Sequence, residues 1–266
     1  MTDLLVQAYG QFALFWLLFG RIGALLFVAP PFGSGYVPIP VRAFLALFLS
    51  LLFLPLAGEQ VIATEQALPY FALLVREIVI GLAMGFLIHL IFTATQVAGY
   101  LLDLEMGLGL ANLLDPVYYQ PIPLMGQFFY SLALLLFFTI GGTADVLSAL
   151  SNSLFQAPPG LGFLSSSSLQ ISLEAFAWMF LSSVRIALPV LTAAFLCNVV
   201  LAVLARAIPQ MNAFVLGLQL KAFVILFGLL TAMPGLVQFM KYMLDVGLQY
   251  LRDLPITLAW QLPGLP

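Results

Sequence analysis

Apolar residues in this chain form long, nearly uninterrupted runs separated by short polar breaks. Runs of this length with few charged positions are typical of helices that cross a lipid bilayer. They lie at residues 4–28, 43–57, 68–102, 124–140, 173–205 and 216–240, and a last mixed segment covers residues 242–260. The pattern predicts six or seven helices and an all-α fold.

The runs differ widely in length. Residues 43–57 are fewer than the roughly 20 that a straight span needs, whereas residues 68–102 are many more. Pro30 and Pro31 are expected to end the first helix, and Pro38 and Pro40 to begin the next, because proline is tolerated in a first turn but not in a helix interior. Unequal lengths favour a re-entrant or steeply packed assembly over a row of standard spans.

Two segments in the middle of the chain are less apolar. Residues 145–155 place apolar side chains on one face and serines elsewhere, which predicts an amphipathic helix at an interface. Pro158-Pro159-Gly160 and the serine run 165–168 follow, and we expect them to form the least structured stretch of the chain and a junction between two halves.

Composition supports a membrane protein. Hydrophobic residues make up 63% of the chain and charged residues only 7%, and the mean hydropathy is +1.13, far from the values of soluble domains. No Lys or Arg precedes the run at 4–28, so we interpret it as a retained first helix rather than a signal peptide. A net charge of −3 without a basic stripe argues against nucleic-acid binding, and the single Cys197 excludes an internal disulfide.

Residues 103–123 form a polar island between two apolar runs. Gly107 and Gly109 lie near its start, and Pro116, Pro121 and Pro123 lie toward its end. Irregular backbone at membrane depth is tolerated only inside protein or beside a water-filled cavity, which indicates a pore, a gate or a buried subunit contact. An ordinary connector outside the membrane is an equally good interpretation from the spacing alone.

Among the charged residues that interrupt apolar runs are Arg21, Arg76 and Glu77. Such charges face a protein interior or a cavity and are usually paired. Arg76 and Glu77 are adjacent and do not face each other on a helix, so each needs its own partner. A proton or substrate path is one interpretation, but we favour structural pairing between helices or subunits, because a relay would need more acidic and His residues on one face.

No catalytic or metal-binding pattern is found. Asp103 and Glu105 point to opposite sides of a continuing helix, which argues against a paired acid and base. His89 is the sole histidine, without a second ligand at metal spacing. Phosphate-binding loops and nucleophile elbows are missing. We therefore expect no enzyme activity, cofactor or metal. Gly81 and Gly85 form a Gly-x-x-x-Gly pair that would let two helices approach closely.

Two sequence blocks resemble a known family. The first is residues 99–111, GYLLDLEMGLGLA, followed by Asp115-Pro116 and by LMGQF at residues 124–128. The second is residues 205–217, ARAIPQMNAFVLG, followed by Lys221. Together they resemble the FliR family of flagellar biosynthetic proteins, which are membrane components of the flagellar type III secretion export gate.

The resemblance implies a fold and a set of roles. It implies a FliP-like helical part at residues 1–165, with a plug loop at about 103–123, and a FliQ-like helical hairpin and C-terminal segment at residues 166–266. The implied plug residues are Met106, Gly107, Leu108, Gly109, Leu110, Ala111, Asn112, Asp115 and Pro116. The expected assembly contacts are Arg206, Pro209, Gln210, Asn212 and Lys221 from the resemblance, and Arg76 and Glu77 from the pairing argument.

The resemblance also implies partners and a location. FliP-type, FliQ-type and FlhB-type subunits would surround the chain in the bacterial inner membrane at the flagellar basal body, and unfolded flagellar proteins would pass as substrates. The homologous injectisome subunit is one alternative. An ion-coupled secondary transporter is another, but the expected inverted repeats are not seen, because the string at residues 209–212 has no counterpart in the first half.

Overall fold

The predicted all-α fold is confirmed. The structure is a computed structural model that describes residues 2–33, 37–57, 67–107, 123–164, 166–208, 213–254 and 256–258. Its elements in chain order are α1 (Thr2–Val28), α2 (Pro30–Gly33), α3 (Ile39–Phe53), a 3-10 turn (Leu54–Ala57), α4 (Ala67–Met106), α5 (Leu124–Thr139), α6 (Gly142–Gln156), β1 (Gly162–Leu164), α7 (Ser166–Ala207), α8 (Ala213–Arg252) and β2 (Ile256–Leu258).

The helices are long and apolar enough for a polytopic membrane protein. Five of them qualify as candidate spans within the described residues, and α5 with α6 would form a sixth if the pair is one broken span. The apolar part of α4 covers 39 residues, that of α7 42 residues and that of α3 with its 3-10 turn only 19. The predicted inequality of the helices is therefore confirmed.

The chain divides into two compact units. Unit 1 consists of Met1–Leu90, Gly141–Phe176 and Val246–Pro266, and unit 2 of Ile91–Ile140 and Ala177–Asp245. Each unit thus draws segments from both sides of the predicted boundary at 165/166. That boundary concerns likeness to two other subunits rather than compactness, so it stays a prediction.

In unit 1, α1 packs closely against α4. A buried stripe on α1 includes Leu14, Leu18 and Leu25, spaced as one helical face. A methyl group on Gly81 would overlap the backbone oxygen of Arg21, and one on Gly85 would lie 2.9 Å from Val28 Cβ. The Gly-x-x-x-Gly pair therefore brings two helices together, as predicted.

Unit 2 contains two antiparallel helix pairs. In the first, Phe92 on α4 meets Tyr130 and Phe137 on α5 edge to face, with ring centroids 5.8 and 5.6 Å apart. In the second, a Cβ on Gly217 would lie 3.4 Å from Leu201, and one on Gly228 would lie 3.7 Å from Ala193. From Gly217 to Gly228 along α8, the neighbouring residue on α7 moves back from Leu201 to Ala193. The two helices therefore form an antiparallel hairpin. Its likeness to a FliQ-type subunit stays a prediction.

The serine run and the last mixed segment differ from expectation. Ser166, Ser167 and Ser168 are not unstructured but open α7, since serine is well suited to a helix start. Residues 242–252 do not form a separate element, because α8 continues unbroken to Arg252. Its buried positions Met240, Met243, Leu244, Leu248 and Leu251 keep helical spacing. Beyond α8, β2 pairs antiparallel with β1, Leu258 opposite Gly162, and this pairing was not predicted.

The amphipathic segment is helical, as predicted, and forms most of α6. Its buried face consists of Val146, Ala149, Leu150, Ser153 and Leu154. The face differs in part from the expected one, because Ser153 belongs to it while the apolar side chains of Leu147 and Phe155 are exposed. A position at an interface stays a prediction. Gly141, with a φ of 81°, stands before the helix in the left-handed conformation that glycine adopts most easily. An amphipathic helix thus contributes to the core of unit 1.

Candidate functional site

The base of the polar island is the first candidate site. We call residues 102–107, at and just after the end of α4, together with residues 123–126, at and just before the start of α5, the island base. Residues 108–122 lie outside the described part of the chain. Seven predicted plug residues therefore have no described position: Leu108, Gly109, Leu110, Ala111, Asn112, Asp115 and Pro116.

The two described plug residues form the end of α4. Met106 is buried, with 5% of its surface exposed. Gly107 has a φ of 72°, and its N–H donates to the carbonyl of Leu104 at 3.1 Å. A glycine in the left-handed conformation after the last helical turn is a common way to end a helix, because glycine adopts this conformation without steric cost.

Asp103 connects α4 to the first turn of α5. The N–H of Met125 donates to Asp103 Oδ1 and Oδ2 at 3.1 Å each, and the N–H of Gly126 donates to Oδ2 at 3.2 Å. Asp103 is only 5% exposed. The N-cap position of α5 is Pro123, which makes no capping hydrogen bond. Asp103 therefore caps α5 from a neighbouring helix.

Glu105 faces away from α5. Asn198 Nδ2 on α7 donates to Glu105 Oε2 at 3.5 Å, and Lys221 Nζ on α8 lies 4.0 Å from the same oxygen. The predicted opposite orientation of Asp103 and Glu105 is confirmed. Within unit 2, Asp103 thus joins the end of α4 to α5, and Glu105 joins it to the α7–α8 hairpin.

A buried charge cluster in unit 1 is the second candidate site. Arg21 Nε on α1 donates to Glu77 Oε2 on α4 at 2.6 Å, and neither side chain has exposed surface. Arg21 also donates to the carbonyl and hydroxyl oxygens of Ser153 at 3.2 and 3.3 Å and to the carbonyl of Ala157 at 3.1 Å. Glu77 Oε1 accepts from the N–H of Gly160 at 2.8 Å.

This cluster confirms structural pairing between helices for Arg21 and Glu77. The positive charge of Arg21 is paired with the negative charge of Glu77, and their other hydrogen bonds go to backbone groups and to the hydroxyl of Ser153. Such additional hydrogen bonds stabilise a buried ion pair. Glu77 was expected among the assembly contacts, yet its partner lies in the same chain and none of its surface is free for another subunit.

The three other predicted assembly residues that the structure describes are more accessible than Glu77. Arg76 takes its own partners, as expected: its Nη2 donates to the carbonyl of Gly162 at 2.7 Å, and its guanidinium lies 5.5 Å from the ring centroid of Phe163. Arg206 is exposed in the last turn of α7. Lys221 is 24% exposed beside Glu105. Pro209, Gln210 and Asn212 lie outside the described residues.

Sequence reasoning missed the tertiary role of Asp103 and of Gly99. A Cβ on Gly99 would overlap Met125 O and Gly126 N, so this glycine allows α4 to approach the backbone of α5. The Gly99–Asp103 spacing of four residues, which places both on one helical face, was the available signal. Among the described residues, no three His, Cys, Asp or Glu side chains gather where they could hold a metal ion.

The chain is similar to known bacterial export proteins. A family model described as "Bacterial export proteins, family 1" matches residues 12–246. Flagellar biosynthetic protein FliR of Bacillus subtilis is 29% identical over 248 residues, covering 91% of this chain and 95% of that protein. FliR of Escherichia coli is 31% identical over 243 residues, covering 90% and 91%.

A secretion protein from a different system also matches. Yop proteins translocation protein T of Yersinia pestis is 29% identical over 176 residues, covering 65% of this chain and 67% of that protein. The FliR relatives match at similar identity over a larger share. Since the family match includes α4, the described island base and most of the α7–α8 hairpin, the chain belongs to family 1 of the bacterial export proteins, together with the FliR proteins.

Proposed function

We propose that this chain is the FliR-type subunit of a flagellar type III secretion export gate in the bacterial inner membrane. It forms part of the channel through which unfolded flagellar proteins pass. The relatives named FliR support this proposal, because two of them match at least 90% of this chain. No catalytic step is assigned to the chain, and the energy for export comes from other components.

The observation that carries the proposed assembly is the uncovered apolar surface of α7 and α8. At 1.5 Å per residue, a 42-residue helix such as α7 is about 60 Å long, roughly twice the hydrocarbon thickness of a bilayer. Only 28% of an 18-residue apolar segment of α7 and 17% of a segment of that length in α8 is buried within the chain. Lipid cannot cover helices of this length along their whole axis when they stand upright.

Protein partners would cover the remainder. Exposed aromatic side chains occur along both helices, among them Phe176, Phe180, Phe195, Phe223 and Phe227. Large exposed apolar side chains on helices too long for lipid to cover are typical of a permanent subunit interface. We assign FliP-type and FliQ-type subunits as the neighbours, with an FlhB-type subunit beside them. Arg76, Arg206, Pro209, Gln210, Asn212 and Lys221 are proposed contacts or supports of these interfaces.

The polar island is proposed as the closure element of the channel. The plug residues combine bendable glycines with apolar side chains such as Met106, Leu108 and Leu110, which can fill a narrow bore and adapt when a chain passes. Contacts of this kind are reversible, because each buried apolar side chain contributes only about 1.5–3 kcal/mol.

Deletion of residues 107–112 tests the closure. In cells that express the whole gate, we expect the deletion to raise ion or small-molecule permeability without any export substrate. The same deletion in a strain that lacks the other gate subunits serves as the control and should not leak. Normal assembly with wild-type permeability would instead favour the connector interpretation of residues 103–123.

The assembly role is tested at the α7–α8 junction. We expect Arg206→Ala to lower the yield of FliP-type and FliQ-type subunits that co-purify with the chain, and Asn212→Ala to do the same, because polar side chains near Pro209 can satisfy carbonyls that proline leaves unpaired. Lys241→Ala removes an exposed cation from α8 and is the matched control. A normal yield of co-purifying subunits combined with loss of export would indicate that both residues act in gating rather than in assembly.

The identity of the co-purifying partners also tests the injectisome alternative. The shorter match to the Yersinia protein makes the flagellar assignment the stronger one. Recovery of injectisome subunits in place of flagellar ones would reverse it.

A further inference from the structure

We infer that Asp103 is a positioning residue that sets the register of α4 against α5 by capping α5 from outside its own sequence. The inference rests on the proposed closure by the polar island. The island begins at the end of α4 and ends at the start of α5. Asp103 itself belongs to neither the predicted plug residues nor the predicted assembly contacts.

The first step concerns the start of α5. The first four N–H groups of a helix have no partner within the helix and need one elsewhere. Proline at the N-cap position has no side-chain acceptor, and Pro123 makes no capping hydrogen bond. A residue from another part of the chain must therefore satisfy these donors if they are buried.

Asp103 meets that need. Its carboxylate accepts the N–H groups of Met125 and Gly126 at 3.1 and 3.2 Å. A negative charge at a helix N-terminus also interacts favourably with the helix dipole. Because Asp103 is only 5% exposed, these charge-assisted hydrogen bonds are little weakened by water.

Gly99 fixes the distance while Asp103 fixes the register. Gly99 lies one turn before Asp103, and it admits the backbone of Met125 and Gly126 so closely that a Cβ would overlap both. The first turn of α5 is thus in steric contact with Gly99 and donates two hydrogen bonds to Asp103. A shift of α5 along α4 by one residue would break both contacts.

This arrangement determines where the island is attached. Gly107 follows Asp103 by one helical turn, and Pro123 precedes Met125 by two residues. With the register held, the separation of these two ends is held as well. Loss of the cap is expected to loosen the attachment without altering any of the predicted plug residues.

The test compares Asp103→Leu, Asp103→Asn and the control Leu104→Ala in the purified gate complex. Leu104 lies next to Asp103, is 53% exposed and contributes no side-chain cap. Hydrogen exchange of the peptide that contains Met125 and Gly126 should become at least about tenfold faster in Asp103→Leu, because the loss of even one charge-assisted hydrogen bond corresponds to a factor of about ten or more. Asp103→Asn, which keeps one acceptor oxygen, should lie between wild type and Asp103→Leu, and Leu104→Ala should exchange as wild type does.

The same variants are then measured for membrane permeability beside the deletion of residues 107–112. A leak in Asp103→Leu, partly restored in Asp103→Asn, supports the inference. Unchanged exchange in an assembled Asp103→Leu complex overturns it, and so does a tight Asp103→Leu gate when the deletion leaks.

If Asp103→Leu does not assemble, Asp103→Asn decides. Faster exchange with a partial leak then supports the cap, and wild-type exchange together with wild-type permeability overturns it. If neither Asp103→Leu nor the deletion leaks, the proposed closure fails, while faster exchange still establishes the cap.

Discussion

Replacing Glu77 by Gln is predicted to be among the most damaging conservative changes in unit 1. The substitution keeps the shape of the side chain but removes its charge and one of its two acceptor oxygens. Arg21 then remains fully buried as an uncompensated cation, since neither side chain of the pair has exposed surface. The amide NH2 of the new side chain would also face either Arg21 Nε or the N–H of Gly160, both of which are donors.

The expected loss follows from the burial of the pair. Removing one partner of a buried ion pair costs about 3–5 kcal/mol of unfolding free energy. For a domain of this size, 1 kcal/mol shifts the unfolding temperature by about 2–4 °C, so the expected drop is about 6–20 °C. The double variant Arg21→Met/Glu77→Leu removes both charges together, which by itself is often neutral or stabilising.

The double variant still leaves two backbone groups without these partners. Arg21 donates to the carbonyl of Ala157, and Glu77 accepts from the N–H of Gly160, whereas the carbonyl of Ser153 keeps its bond from Ala157 N at 3.1 Å. An unsatisfied buried group costs about 1–3 kcal/mol. The double variant should therefore be less destabilised than the sum of the single variants Arg21→Met and Glu77→Leu, each of which leaves one charge buried without its partner.

The assay is the midpoint of heat-induced loss of the folded gate complex in detergent, at one fixed heating rate because such unfolding is often irreversible. Asp145→Asn is the matched control, since Asp145 also forms an ion pair in unit 1, with Arg252, but side-chain exposures of 31% and 43% weaken it. Loss of that pair and of a charge near the start of α6 is worth at most about 2 kcal/mol. If Glu77→Gln shifts the midpoint no more than Asp145→Asn does, the buried pair is not the main link between α1, α4 and α6.

Two further changes test packing and the weaker charge contact. Gly81→Ala should prevent stable assembly or sharply lower the thermal midpoint, because its methyl group would overlap the backbone of α1, whereas Gly235→Ala, with nothing within 4 Å of the added carbon, should be neutral or slightly stabilising. Equal midpoints for the two variants would show that α1 and α4 do not approach as described. Lys221→Gln should lower the unfolding free energy by no more than about 1 kcal/mol, because Lys221 and Glu105 are partly exposed and 4.0 Å apart. A larger drop in the thermal midpoint would place this contact among the main supports of unit 2.

The sequence by itself determined the membrane class, the helix positions and the family. Helix formation depends on neighbours three and four residues apart, so the apolar runs and the proline pairs near residues 30 and 40 predicted α1, α3 and α4. The opposite orientation of Asp103 and Glu105 follows from the same local geometry. The helical spacing of residues 240–251 was equally readable, but their mixed composition left six or seven helices open.

The tertiary structure decided which groups meet. Arg21 and Glu77 are 56 positions apart, Arg21 and Ala157 are 136 apart, and Asp103 reaches α5 across 22 positions. A charge in an apolar run indicates that a partner is needed, but any helix that packs nearby can supply it. The choice depends on close approach at Gly81, Gly85 and Gly99, where the missing side chains let two backbones come together. Local pattern therefore predicted the need for these contacts, and only the packing of the helices determined the partners.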